Sequence, residues 1–161
     1  MRQVKIPYRW KPRKYQMKLW KYLEDGGKRA VAVWHRRAGK DSLSLNWTAV
    51  AAFERVGVYW HMLPLQTQAR KVVWDAIDKQ GRRVIDQVFP KQLRKSINSQ
   101  EMKIELVNGS IWQCLGSDNY NSLVGANPVG VVFSEYSIAD PAAWDFIRPI
   151  LAENDGWALF I

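Results

Sequence analysis

Apolar and polar positions change their period several times along this chain, and each change marks an element. From Arg13, the apolar positions Tyr15, Leu19, Tyr22 and Leu23, with Met17 and Trp20 nearby, predict an amphipathic helix. It ends at Gly26-Gly27, the usual residue type for a helix terminus. Residues 1–12, interrupted by Pro7 and Pro12, read as extended or irregular. A short apolar run, Ala30 to Trp34, reads as a buried strand. It empties into a tight loop at Ala38-Gly39-Lys40, and Leu43, Leu45, Trp47 and Val50 then give a helix reaching about Phe53.

The run Val56 to Leu63, closed by Pro64, predicts a second buried strand, and Ala69, Val72, Val73, Ala76 and Ile77 predict a helix from about Thr67 to Lys79. Residues 80–98 are basic and less regular. The period then switches to two. Met102, Ile104 and Leu106 alternate with polar neighbours, Asn108-Gly109 supplies a two-residue turn, and Ile111 to Leu115 returns as the second arm of a hairpin. After the polar stretch 116–125, Val129 to Phe133 is a β-branched strand ending in Ser134-Glu135. Pro141 opens a helix capped by Asp140 and covering Trp144, Ile147 and Ile150, and Trp157 to Ile161 reads as a last buried strand. Strands alternating with helices predict an α/β fold: a P-loop NTPase-type core, its central sheet mainly parallel and flanked by helices, with an antiparallel hairpin near residues 101–115.

Length changes the picture little, since 161 residues suit one hydrophobic core. Charge changes it more. Residues 1–40 carry thirteen Lys/Arg against two acids, whereas residues 41–161 carry eleven against thirteen, so the net +9 is an N-terminal property. Such a block points to phosphates of nucleotide or nucleic acid, or else to a solvated basic face. The lone Cys114 excludes an internal disulfide and a cysteine metal cluster. No apolar run approaches membrane-spanning length, and a reducing, soluble compartment is the simple expectation.

Candidate chemistry gathers where the first strand meets its helix. A strand-to-helix turn with Gly39-Lys40 presents backbone N–H groups at a helix start, with a lysine placed for phosphate oxygens. The match to G-x-x-x-x-G-K-[ST] is incomplete, because Trp34 stands where the first glycine belongs and Asp41 follows the lysine. Taken alone, the Gly-Lys pair is also compatible with an ordinary basic turn. The 129–133 strand adds a second deviation, with Ser-Glu where Asp-Glu is usual. Asp41 and Ser134 are therefore expected to have exchanged hydroxyl and carboxylate roles around Mg²⁺, a hard cation that accepts oxygen from either side.

Taken together, Tyr15-Gln16, WHRRAGKD at 34–41, Pro64 through Gln68-Ala69-Arg70 to Trp74, GSDN at 116–119 with Ser122-Leu123 and Gly125, and VVFSEY at 131–136 resemble the ATPase domain of the tailed-bacteriophage terminase large subunit. That protein is the motor that pumps double-stranded DNA into a preformed capsid. The resemblance runs from about residue 8 to 161. It implies that ATP and Mg²⁺ are the cofactors, that Lys40 holds β- and γ-phosphates, and that the backbone from Arg37 through Ala38 and Gly39 to Asp41, with Ser42 following, cradles them. It further implies that Gln16 recognises adenine with Tyr15 or Arg13 stacking, that Arg36 is a sensor or cis-acting finger, and that Glu135 is the catalytic glutamate. Asp41 and Ser134, where the chain departs from the family's pattern, are the expected metal positions. The implied partners are double-stranded DNA, the portal protein and the small terminase subunit, with a homo-oligomeric ring in the full-length protein. The implied location is the host cytoplasm, docked transiently on the procapsid.

By the same resemblance, the 161 residues are expected to form one ATPase domain cut before the family's coupling motif and lacking its nuclease domain. Two other functions compete: a helicase-like, nucleic-acid-stimulated ATPase, against which Ser134-Glu135 argues, and a truncated, non-catalytic fragment for nucleotide binding or assembly. Gln68, Ser117 and Asp118 carry milder expectations, ranging from turn building to coupling or subunit contact. Trp10 and Trp34 are candidates for base stacking.

Overall fold

The computed structural model describes residues 9–161; most of the stretch 1–12 lies outside the described residues. Seven strands form one sheet: β1 (Arg29–Val31), β2 (Val58–Leu63), β3 (Arg94–Asn98), β4 (Lys103–Leu106), β5 (Ile111–Gly116), β6 (Pro128–Phe133) and β7 (Trp157–Phe160). Their order is β1-β7-β6-β2-β5-β4-β3. The five strands from β1 to β5 in that order are mutually parallel, and β4 and β3 extend the sheet antiparallel beyond β5. This is the mainly parallel α/β sheet with its antiparallel hairpin that the hydrophobic pattern predicts.

The helices are α1 (Met17–Glu24), α2 (Lys40–Glu54), α3 (Gln66–Ala69), α4 (Val84–Val88) and α5 (Ala142–Glu153). Each strand has period two, so its residues divide between the sheet's two faces. Tyr59, Leu63, Trp112, Cys114, Val132 and Leu159 pack with Leu43, Trp47, Val73 and Trp74 on one side. Trp60, Met62, Leu115, Val131, Phe133 and Ala158 pack with Ala143, Ile147 and Leu151 of α5 on the other. The central strands β2 and β6 are thus apolar on both faces, as the continuous β-branched runs require. An aromatic chain ties the N-terminal segment to this core: Trp10 meets Trp20 at 5.3 Å between ring centres, Trp20 meets Trp47 at 5.6 Å, and Trp47 meets Trp157 at 6.3 Å.

Three elements differ from expectation. The strand predicted over 30–34 covers only Arg29–Val31, with one further hydrogen bond from Ala32 N to Phe160 O. The helix predicted to reach Lys79 changes to a π-turn over Arg70–Trp74 and stops there. The Asp78 carboxylate accepts the amides of Gln80 and Arg82, and this local turn replaces further helix. Residues 80–98, read as irregular, contain α4 and the edge strand β3. The expected hairpin turn is present, with Gly109 at φ 96°, and Asp140 Oδ1 accepts the Ala142 amide at the start of α5.

Candidate functional site

The loop between β1 and α2 is shaped by two residues in the left-handed region, Arg37 at φ 63° and Gly39 at φ 77°. These turn the chain so that α2 begins at Lys40 directly under the loop, and the first amides of α2 have no acceptor within the helix. Gln16 and Tyr15, in the short 3₁₀ turn before α1, hold the loop from the N-terminal side. Gln16 is buried; its Nε2 donates to Ala38 O at 2.9 Å and Gly39 O at 3.2 Å, while its Oε1 accepts Arg13 N at 2.9 Å. Tyr15 Oη donates to Ala38 O at 2.6 Å. The Gln16 Nε2 is therefore committed to the loop, while its Oε1, with one of two lone pairs used by the Arg13 amide, can still accept a further hydrogen bond.

Tyr15 also stands edge-on to Trp34, with ring centres 5.8 Å apart. Arg36 and Arg37 are exposed, Ala38 is buried, and Lys40, Asp41 and Ser42 are half-buried in the first turn of α2. Ser42 O accepts the Asn46 side-chain amide.

On the opposite side, β6 runs parallel between β2 and β7 and delivers Ser134 and Glu135 at its C-terminal end. Ser134 is buried, its amide donating to Met62 O. Glu135 is exposed and sits in the left-handed region at φ 54°, an arrangement uncommon for a non-glycine residue. The two halves of the site meet in one hydrogen bond: Ser134 Oγ donates to Asp41 Oδ1 at 2.8 Å. Lys40 is adjacent to Asp41, and Glu135 is adjacent to Ser134. The Phe133 carbonyl also accepts the Ile161 amide, so β7 ends beside this point.

A residue that sequence reasoning passed over completes the cluster. His61 of β2 is wholly buried, and its Nε2 lies 3.1 Å from the same Asp41 Oδ1. Its place inside the apolar run Val56–Leu63 could have flagged it, since a histidine buried within such a strand requires a partner. Burial pushes the Asp41 carboxyl up. Hydrogen bonds and charge from His61, the Ser134 hydroxyl and the charge of Lys40 more than offset this and hold it below the usual carboxylate value. Cys114, beside His61 in register, behaves oppositely: burial pushes its thiol up, and it serves as a small core residue with Sγ 3.5 Å from Ala69 O.

Donor chemistry fits a magnesium ion carried in with a nucleotide better than an all-protein metal cage. Among the described residues no group of three or more His, Cys, Asp or Glu could hold an ion. Magnesium commonly takes one or two protein oxygens and completes its shell with phosphate and water. Because the Ser134 proton is directed at Asp41, the hydroxyl lone pairs remain available as acceptors.

Gln68, Ser117 and Asp118 occupy structural positions next to this region. Gln68 Oε1 accepts the Leu65 amide, and Asp118 Oδ1 accepts the Gln66 amide at the start of α3. Gly116 crosses there so closely that a Cβ would stand 2.1 Å from Gln66 N. Ser117 is buried, its hydroxyl without a partner among the described residues. Trp10 packs on Trp20, turned toward the core.

No protein-family model matches the sequence, and no curated protein matches it. Solved structures do share the fold. An arginine-to-alanine variant of the large terminase ATPase domain of Thermus phage P74-26 superposes with a TM-score of 0.72, at 22% identity, over 94% of this chain and 65% of that one. The same ATPase domain without that change gives 0.64 at 22% identity over 95% of this chain and 70% of that one. The chain therefore has the fold of these ATPase domains and spans about two thirds of their length.

Proposed function

We propose that this chain is the ATPase core of a viral DNA-packaging motor, hydrolysing ATP to drive double-stranded DNA into a procapsid. One observation carries the reading: the start of α2, with Lys40 and Asp41, is bonded through Asp41 to the end of β6, with Ser134 and Glu135. A nucleotide triphosphate fits the junction of those two ends. The backbone from Arg37 to Asp41 and the first turn through Ser42 would receive phosphate oxygens, and the Lys40 ammonium would neutralise the β- and γ-phosphates. Arg36, exposed on the same loop, would add charge to the γ-phosphate. Glu135 would hold and orient the attacking water on the far side, taking its proton. Asp41 and Ser134 would hold Mg²⁺, which when bound neutralises developing charge on the phosphates. Gln16 would recognise adenine, with Tyr15 or Arg13 stacking on the base, while the bonds of Gln16 Nε2 and the Tyr15 hydroxyl to the loop keep it in register.

In this reading DNA, the portal, the small subunit and a ring of copies are the motor's partners, and its site of work is the procapsid in the host cytoplasm. Among the described residues no helix is long and apolar enough to cross a membrane. The fold shared with large terminase ATPase domains supports this reading over a helicase-like ATPase.

Steady-state ATP hydrolysis with Mg²⁺, measured beside nucleotide binding, tests it. Glu135→Gln should lower turnover by roughly 10²–10⁴-fold while keeping nucleotide affinity, and Lys40→Ala should lose both. A parent chain that binds ATP without turning it over would return the non-catalytic reading.

A further inference from the structure

Among the described residues the His61 side chain makes a single polar contact, and that contact is on the candidate site. It lies in the middle of β2, opposite Cys114 of β5 and Val132 of β6, with no exposed surface. Its Nε2 reaches Asp41 Oδ1, while its Nδ1 is buried without a partner among the described residues. An apolar side chain would fill this space without leaving a ring nitrogen unsatisfied, so packing alone does not account for a histidine here.

What the contact does follows from counting acceptor sites. A carboxylate oxygen offers about two lone-pair directions. On Asp41 Oδ1 one is taken by His61 Nε2–H and the other by Ser134 Oγ–H. Oδ1 is then saturated and the carboxylate cannot rotate without breaking two hydrogen bonds. Among the described residues Oδ2 has no hydrogen-bond partner, which leaves it and the lone pairs of Ser134 Oγ for a ligand.

We propose that His61 is a positioning residue that pins Asp41, so that Asp41 Oδ2 and Ser134 Oγ present a fixed two-oxygen face to the divalent cation accompanying a nucleotide. It acts through Asp41 and touches neither nucleotide nor cation. This inference rests on the reading of the site as a magnesium–nucleotide site, and it supplies what the exchanged Asp41 and Ser134 need: an anchor for a carboxylate carried on a helix start instead of a buried strand end.

The test uses the whole chain and two readouts. Long-range ¹⁵N NMR of the imidazole, without nucleotide or metal, should find Nε2 protonated, with its resonance moving in Asp41→Asn. Nucleotide binding is then titrated with Mg²⁺ and in EDTA for the parent, His61→Leu and His61→Gln. His61→Leu should weaken the apparent Mg²⁺ affinity roughly 10–100-fold and leave binding in EDTA unchanged. His61→Gln, which keeps an N–H donor near the Nε2 position, should recover most of the loss. An imidazole protonated only at Nδ1 overturns the inference, as does equal weakening with and without Mg²⁺, or a glutamine no better than leucine. A parent with no Mg²⁺-dependent binding overturns the ATPase reading itself, and with it the cation part of the inference.

Discussion

Gly39 is constrained twice over in the loop. Its φ of 77° disfavours an L side chain, and a Cβ there would stand 2.8 Å from the Gln16 amide nitrogen. Gly39→Ala therefore meets two costs, a strained backbone and a displaced strut, the first worth about 1–3 kcal/mol. Thermal unfolding should fall accordingly, and nucleotide affinity should fall with it; an unchanged melting temperature would mean that the loop relaxes freely. Asp41 gives a prediction with a sign. Its carboxyl titrates below the ordinary value in the folded chain, so its contribution to stability is present above the unfolded value of about 3.9 and is lost as pH falls through the lower folded value. In urea unfolding, the parent should be more stable than Asp41→Asn at pH 7, and the gap should close below about pH 4.

At the level of elements, what the sequence made legible depended on burial. β2 and β6 are covered on both faces, so their apolar runs stand out, and the β4–β5 hairpin shows itself through alternation and Asn108-Gly109. β3 was illegible because Arg94–Asn98 is an edge strand with almost every residue exposed, and its Ile97 is 42% exposed. Such a strand is selected by pairing with β4, which no local pattern reports. The early end of the helix after α3 is similar: Ile77 fits a helical spacing, yet it is 63% exposed and bridges to Arg83. In the site, Lys40 and Asp41 were legible from the Gly-Lys turn that follows one apolar run, and Ser134 and Glu135 from the end of another, whereas His61 was not, because it sits inside a run. The position of Asp118 suggests a test at this scale. It caps α3 from a different segment, so Asp118→Ala should cost about 1 kcal/mol in chemical denaturation, with Asp118→Asn retaining most of it. A null effect would leave the 117–124 stretch unattached to α3 by this bond.

Charge is the property that belongs to the whole molecule, and its asymmetry survives folding. Lys14, Lys18 and Lys21 are exposed along one side of α1 and its preceding turn, and none has an acidic partner among the described residues. The same segment holds the β1–α2 loop through Gln16 and Tyr15. A duplex lying against α1 would neutralise those ammonium groups with backbone phosphates and release counterions, giving sequence-independent binding that weakens steeply with salt. Replacing all three lysines with alanine removes up to three phosphate contacts. The slope of log affinity against log salt should then become shallower by about 2.7, at about 0.9 per contact on B-form DNA. The parallel replacement of Lys91, Lys95 and Lys103, at the far edge of the sheet and partly paired with Glu101 and Glu105, should change the slope much less. Equal changes for the two sets would mean that the duplex senses only net charge, and an unchanged slope for the α1 set would move the DNA contact to another face.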